Sequence, residues 1–163
     1  MKKLYKNVAS GLMFAAIAFV TPIYAQASKT ALSAKTAQTI IDGCGARAHK
    51  EGWKMVTAIV DDGGNLKQFS RMDGAFLMSI KIAQLKAETS AGLPFATRKF
   101  RDISRSGAHG LELVPGTSAV AGGLPIMNAK GEWLGAIGVS GGSEDQDELC
   151  AQAGLDAARD LLR

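Results

Sequence analysis

Two histidines (His49, His109), two cysteines (Cys44, Cys150), a doubled acid (Asp61-Asp62) and a glycine turn (Gly141-Gly142) carry the side chains and backbone able to do chemistry. His49 lies in Arg47-Ala-His-Lys-Glu-Gly52, a helix end, where the dipole favours a solvent-facing histidine. His109 lies in Ser106-Gly-Ala-His-Gly110 beside Arg101 and Arg105, either a loop that closes over an anion or an ordinary surface loop. The cysteines have no close Cys or His partner at zinc spacing, so they form a disulfide or two buried apolar residues. Asp61-Asp62 opens Asp-Asp-Gly-Gly-Asn65, and turn chemistry explains it better than an acid–base or metal pair. Gly141-Gly142 resembles a phosphate cradle only superficially. No Lys-Ser/Thr follows it, no G-x-G-x-x-G surrounds it, and Glu144, Asp145, Asp147 and Glu148 would repel phosphate, so nucleotide binding is not expected. No His–acid–nucleophile order can be read, and Ser140 and Ser143 are better explained as turn and cap.

The elements that must position these groups follow from periodicity. Ala37, Ile40, Ile41, Cys44 and Ala48 recur at helical spacing behind Ser33 as cap, which predicts a helix over Ser33 to Glu51 stopped by Gly52. Trp53 to Val60 and Leu66 to Arg71 predict two strands joined by the Asp61–Asn65 hairpin turn. Gly74 to Ala91 predicts a long helix with Phe76, Leu77, Ile80, Ile82, Ala83 and Ala87 on its apolar side, and Met72 and Met78 in the core. A second short helix or irregular crossover is expected over Phe95 to Ile103, and a short edge strand over Leu111 to Val114. Ala119 to Met127 and Glu132 to Ser140 predict a second hairpin. Ser143, with Gln146 three residues on, predicts a capping box at the start of a closing helix that reaches Leu162. The expected class is α+β, an antiparallel sheet covered by helices.

The first 27 residues read as an export signal. Lys2, Lys3 and Lys6 form a basic start, Val8 to Val20 is almost wholly apolar, Pro22 breaks the run, and Ala25-Gln-Ala27 offers a cleavage site. The apolar run is short for a spanning helix. Residues 28–163 are then one domain, periplasmic or secreted, and the three signal lysines account for all but +1 of the chain's net charge of +4. The basic balance therefore gives no reason to expect nucleic acid. Small faces at Ala83-Ala87-Ala91 and Ala153-Ala157 suggest packing against copies of the chain, hence a homo-oligomer.

One series of motifs carries a family resemblance. Leu134-Gly-Ala-Ile-Gly-Val-Ser-Gly-Gly142, followed by Gln146-Asp-Glu-Leu-Cys-Ala-Gln-Ala-Gly154, resembles the signature of the GlcG/HbpS haem-binding family. Ile59-Val-Asp-Asp-Gly-Gly-Asn65, Lys86-Ala-Glu-Thr-Ser90, Val114-Pro-Gly116 and Gly122-Gly-Leu-Pro-Ile126 support it, in order along the chain. The module is also similar to the C-terminal domain of PduO-type corrinoid adenosyltransferases. The resemblance implies a profilin-like fold with a five-stranded antiparallel sheet, frequent assembly into oligomers, and haem as ligand, sequestered or slowly degraded.

Haem iron is held by His, Cys, Met or Tyr side chains, and both tyrosines fall in the signal segment. The resemblance points to His49 as iron ligand, with His109 second. Arg47, Lys50, Arg101 and Arg105 are the bases expected to meet the propionates, since the acid-rich helix start argues against that junction. Two other classes compete: a binding or sensory domain for an organic acid or corrinoid, and an enzyme of a catabolic pathway.

Overall fold

A computed structural model describes residues 30–163; the expected export signal lies outside them. Four helices and four strands follow in the order α1 (Ala34–Glu51), β1 (Val56–Asp61), β2 (Leu66–Arg71), α2 (Leu77–Gly92), α3 (Thr97–Ser106), β3 (Gly123–Met127), β4 (Trp133–Ser140) and α4 (Glu144–Ala157). The strands form one antiparallel sheet in the order β2-β1-β4-β3. The α+β class is as expected. The five-stranded sheet is not: among the described residues there are four strands, and Leu111–Leu113, the expected edge strand, is a single 3-10 turn. Gly110 (φ 88°) and Gly116 (φ 90°) bracket that segment in left-handed turns, so it is too short to run along an edge, and Leu113 stands 79% exposed.

Strand alternation splits the core in two. Met55, Ile59, Ile137 and Val139 pack with α1 and α4, while Val56, Ala58, Val60 and Ala136 pack with α2 on the opposite face. Helix α2 lies so close to the sheet that a Cβ on Gly138 would strike the Ala83 carbonyl oxygen. That proximity selects Ser79, Ala83 and Ala87 for the inward side. It also corrects the expected helix face: Phe76, Leu77 and Met78 point to solvent at 71%, 72% and 67% exposure. Met72 does pack against the core. Of the alanine faces expected to join copies, that of α2 is occupied within the chain, while on α4 Ala153 is half-buried and Ala157 exposed. Ala83, Ala87 and Ala91 are buried on its own sheet, and Ala153 and Ala157 meet α1 at Gly43.

Helices α1 and α4 are joined by a Cys44–Cys150 disulfide, which settles the alternative left open by the sequence. The capping box forms as expected: Ser143 Oγ accepts the Gln146 N–H at 3.3 Å, and the Gln146 side chain accepts the Ser143 N–H at 2.9 Å. Asp61 is a turn residue, its carboxylate accepting the Gly63 and Asn65 N–H groups at 2.9 Å.

Candidate functional site

Helix α1 ends at Gly52, whose left-handed backbone (φ 74°) turns the chain back toward β1. This leaves His49 exposed in the last turn. It lines an open cleft of about 380 Å³ with Lys54, Ser70, Arg71, Met72 and Asp73. The cleft is the open end of the β1–β2 hairpin. Val56 pairs with Arg71, the Met72 N–H donates to the Met55 carbonyl at 3.0 Å, and the Met55 N–H reaches Met72 Sδ at 3.4 Å. That register brings Lys54, on the lead-in to β1, beside the end of β2. Arg71 Nη2 donates to the Ala75 carbonyl at 3.0 Å, which folds the following turn over it. Among the described residues neither Lys54, Arg71 nor Asp73 makes an ion pair.

The bases expected around His49 are elsewhere or already engaged. Arg47 pairs with Glu51 at 3.1 Å and lies over the Trp53 ring, 5.6 Å from its centroid. Lys50 is exposed but does not line the cleft. Arg101 is bound to Glu144 and lies 3.6 Å from Asp102. Arg105 is exposed at the end of α3, and His109 is exposed in the loop beyond it; neither enters the His49 cleft. Lys54 and Arg71, which the sequence analysis did not name as site residues, are the bases that line the cleft beside His49. The signal was the hairpin itself: the Asp61–Asn65 turn fixes a register that, followed to its open end, places both beside His49.

A larger cleft, about 600 Å³, lies along Arg98, Asp145, Glu148, Leu149 and Gln152. Arg98 donates to Glu148 at 2.8 Å and Asp145 at 2.6 Å, bonds that hold its pKa above the usual arginine value. The acids that open α4 are therefore neutralised by α3. Glu144 also accepts the Ala121 N–H at 3.1 Å, and that bond, with the charge of Arg101, holds its carboxyl below the usual range.

Beneath this surface Lys86, 1% exposed, reaches from α2 to α4. Its Nζ donates to Asp147 at 2.6 Å and to the Val139 carbonyl at 2.8 Å. The second oxygen of Asp147 accepts the Gly142 N–H at 2.9 Å. Burial pushes Lys86 down and Asp147 up, opposed by their mutual attraction. The Gly141-Gly142 turn is thus wrapped around a carboxylate of its own chain, a strand-to-helix junction rather than a ligand cradle.

Fold and cleft together define a small α+β domain whose helix-end histidine shares a groove with unpaired bases. The profile of the haem-degrading HbpS-like proteins matches residues 32–156, and the chain belongs to that family. It is 33% identical to the protein GlcG of Escherichia coli K12 over 113 residues, which is 69% of this chain and 84% of GlcG. The crystal structure of a double mutant of Streptomyces reticuli HbpS superposes with a TM-score of 0.74 at 32% identity, covering 91% of this chain and 97% of that one. A crystal structure of a PduOC–haem complex gives 0.74 at 30% identity, covering 78% and 95%. Among the described residues no helix is long and apolar enough to cross a membrane, and no three His, Cys, Asp or Glu side chains converge to hold a metal ion.

Proposed function

We propose that this is an exported haem-binding protein in which His49 ligates the iron. The carrying observation is the placement of His49, a solvent-facing imidazole in an open groove that also presents Lys54 and Arg71. The His49 imidazole would hold the iron, and the adjoining bases would meet the propionates. Membership of a haem-degrading family and similarity to a PduOC–haem complex support the same ligand. Bound haem would supply iron redox chemistry; the protein supplies a ligand, charge and an open edge. Sequestration and slow degradation separate in hydrogen peroxide, where storage predicts a persistent Soret band and degradation its bleaching.

Export rests on the signal-like residues 1–27 and on the Cys44–Cys150 bond, which suits an oxidising compartment. N-terminal sequencing of periplasmic material should begin at Ser28, and a start at Met1 would remove this part. Self-association has two candidate surfaces, the α4 face that carries the exposed Ala157 and the exposed Phe76-Leu77-Met78 stretch. A clean monomer mass by light scattering at micromolar concentration would exclude it.

Titrating residues 28–163 with hemin tests the ligand. The expected result is a Soret shift, with affinity at least about tenfold lower in His49→Ala, or ~1.4 kcal/mol. His109→Ala should bind as the parent does, and thermal stability should barely change in either. Retention in His49→Ala with loss in His109→Ala would assign the iron to the other histidine.

A further inference from the structure

We propose that Lys54 and Arg71 form a carboxylate-recognising pair that seats the haem propionates beside His49. This inference rests on the haem reading and deepens it. Seven arginines lie among the described residues. Arg47, Arg98, Arg101, Arg159 and Arg163 each make an ion pair with a carboxylate. Arg71 and Arg105 do not, and of these two Arg71 is in the same cleft as the candidate iron ligand. Its one hydrogen bond, to the Ala75 carbonyl at 3.0 Å, fixes the guanidinium while leaving most of its five N–H donors available. Lys54 lines the groove from the lead-in to β1, with no carboxylate partner among the described residues.

Both residues hang from the closed register of one hairpin, and a rigid scaffold limits the entropy lost on binding. Asp73 on the same rim leaves a fixed charge of +1 from Lys54, Arg71 and Asp73. Lys54 and Arg71 supply one cation for each of the two propionates, and the small net charge disfavours a polyphosphate. A guanidinium grips a carboxylate through two parallel N–H bonds, and an ammonium adds a point charge, so the pair has the chemistry to recognise acid groups.

Esterifying both propionates of hemin with methyl groups removes their charge and leaves the iron porphyrin intact, and that difference is the test. The parent protein should bind hemin at least about tenfold more tightly than the ester. Lys54→Gln with Arg71→Gln should bind the two equally, within about twofold, while the Soret position of the hemin complex stays that of the parent. Lys54→Gln alone leaves the Ala75 bond intact and should lose about half of the preference on a logarithmic scale, which keeps the test valid if the double variant is unstable. A preference retained in the variants, or equal binding of both compounds by the parent with a normal Soret shift, would overturn this pair and leave His49 standing. No Soret shift with either compound would overturn the haem reading and this pair with it.

Discussion

The α3–α4 side of the molecule and the open end of the β1–β2 hairpin use charge in opposite ways. Along α3 and α4, Arg98 and Arg101 are matched to Glu144, Asp145 and Glu148, and Lys86 is sealed against Asp147 beneath them. At the hairpin end, Lys54, Arg71 and Asp73 stand around His49 without ionic partners among the described residues. A charge already neutralised by its own chain organises backbone; one left unpaired on a rigid edge is available to a ligand. The larger cleft is therefore the poorer candidate, because Arg98, the base among its described lining residues, is already paired with Asp145 and Glu148. Substitutions should separate the two regions, with stability responding on one side and hemin binding on the other.

The strongest separation is expected at Lys86. Lys86→Met leaves Asp147 buried without its counter-ion and should cost about 3–5 kcal/mol in urea unfolding. Combining it with Asp147→Leu should recover most of that loss, because a buried pair is replaced more cheaply than it is broken. Hemin affinity of the folded fraction should stay within about twofold of the parent. A single-variant cost below about 1 kcal/mol would break the comparison, since the pair would then be building nothing.

The disulfide gives the next largest effect. Cys44 and Cys150 are 106 residues apart, so the bond closes most of the described chain into one loop. Replacing both with Ala should cost about 2–5 kcal/mol. The His49 cleft should survive, because the Trp53 N–H to Ala48 carbonyl bond (2.9 Å) and the hairpin register hold it independently. Loss of hemin binding in the folded double variant would show that the α1–α4 side also shapes the site.

Local devices were readable in the sequence wherever a short pattern has one physical meaning. The Ser143–Gln146 capping box, the Asp61–Asn65 turn and the Ser33 cap of α1 all form where spacing placed them. Size misled the reading of α2: large apolar residues suggested an inward face, but a helix lying against Gly138 needs small ones, so Phe76, Leu77 and Met78 were displaced to solvent. Lys86 was hidden because lysine is almost never fully buried, and its partner lies 61 residues away. Leu111 to Val114 had strand composition but no neighbour to pair with. Of the candidate site, His49 was legible from its helix-end position. Its companions were not, because single cations on a strand or its lead-in have no periodicity and only the register of the hairpin brings Lys54 and Arg71 to it.

The smallest effect concerns the acid limb of stability, and it sharpens the comparison within the α3–α4 side. Glu144 is held below the ordinary glutamate range by the Ala121 N–H and by Arg101. Its ionised form therefore stabilises the fold at pH values above the unfolded value, near ~4.3, and that contribution is lost as pH falls through the folded one. Asp147 titrates with the opposite sign. Burial raises its folded pKa, so protonation is easier in the folded chain, and its linkage opposes the loss from Glu144 as pH drops. Glu144→Gln removes only the first contribution. Its melting temperature should fall slightly at pH 6 and converge with that of the parent toward pH 3. The difference at pH 6 should correspond to less than about 1 kcal/mol, because the Glu144 side chain is 41% exposed and its pairing with Arg101 is screened by solvent. Melting curves of parent and variant that stay parallel from pH 6 to pH 3 would show that Glu144 is a spectator at the α4 start, and that its bond to Ala121 adds nothing beyond the capping box.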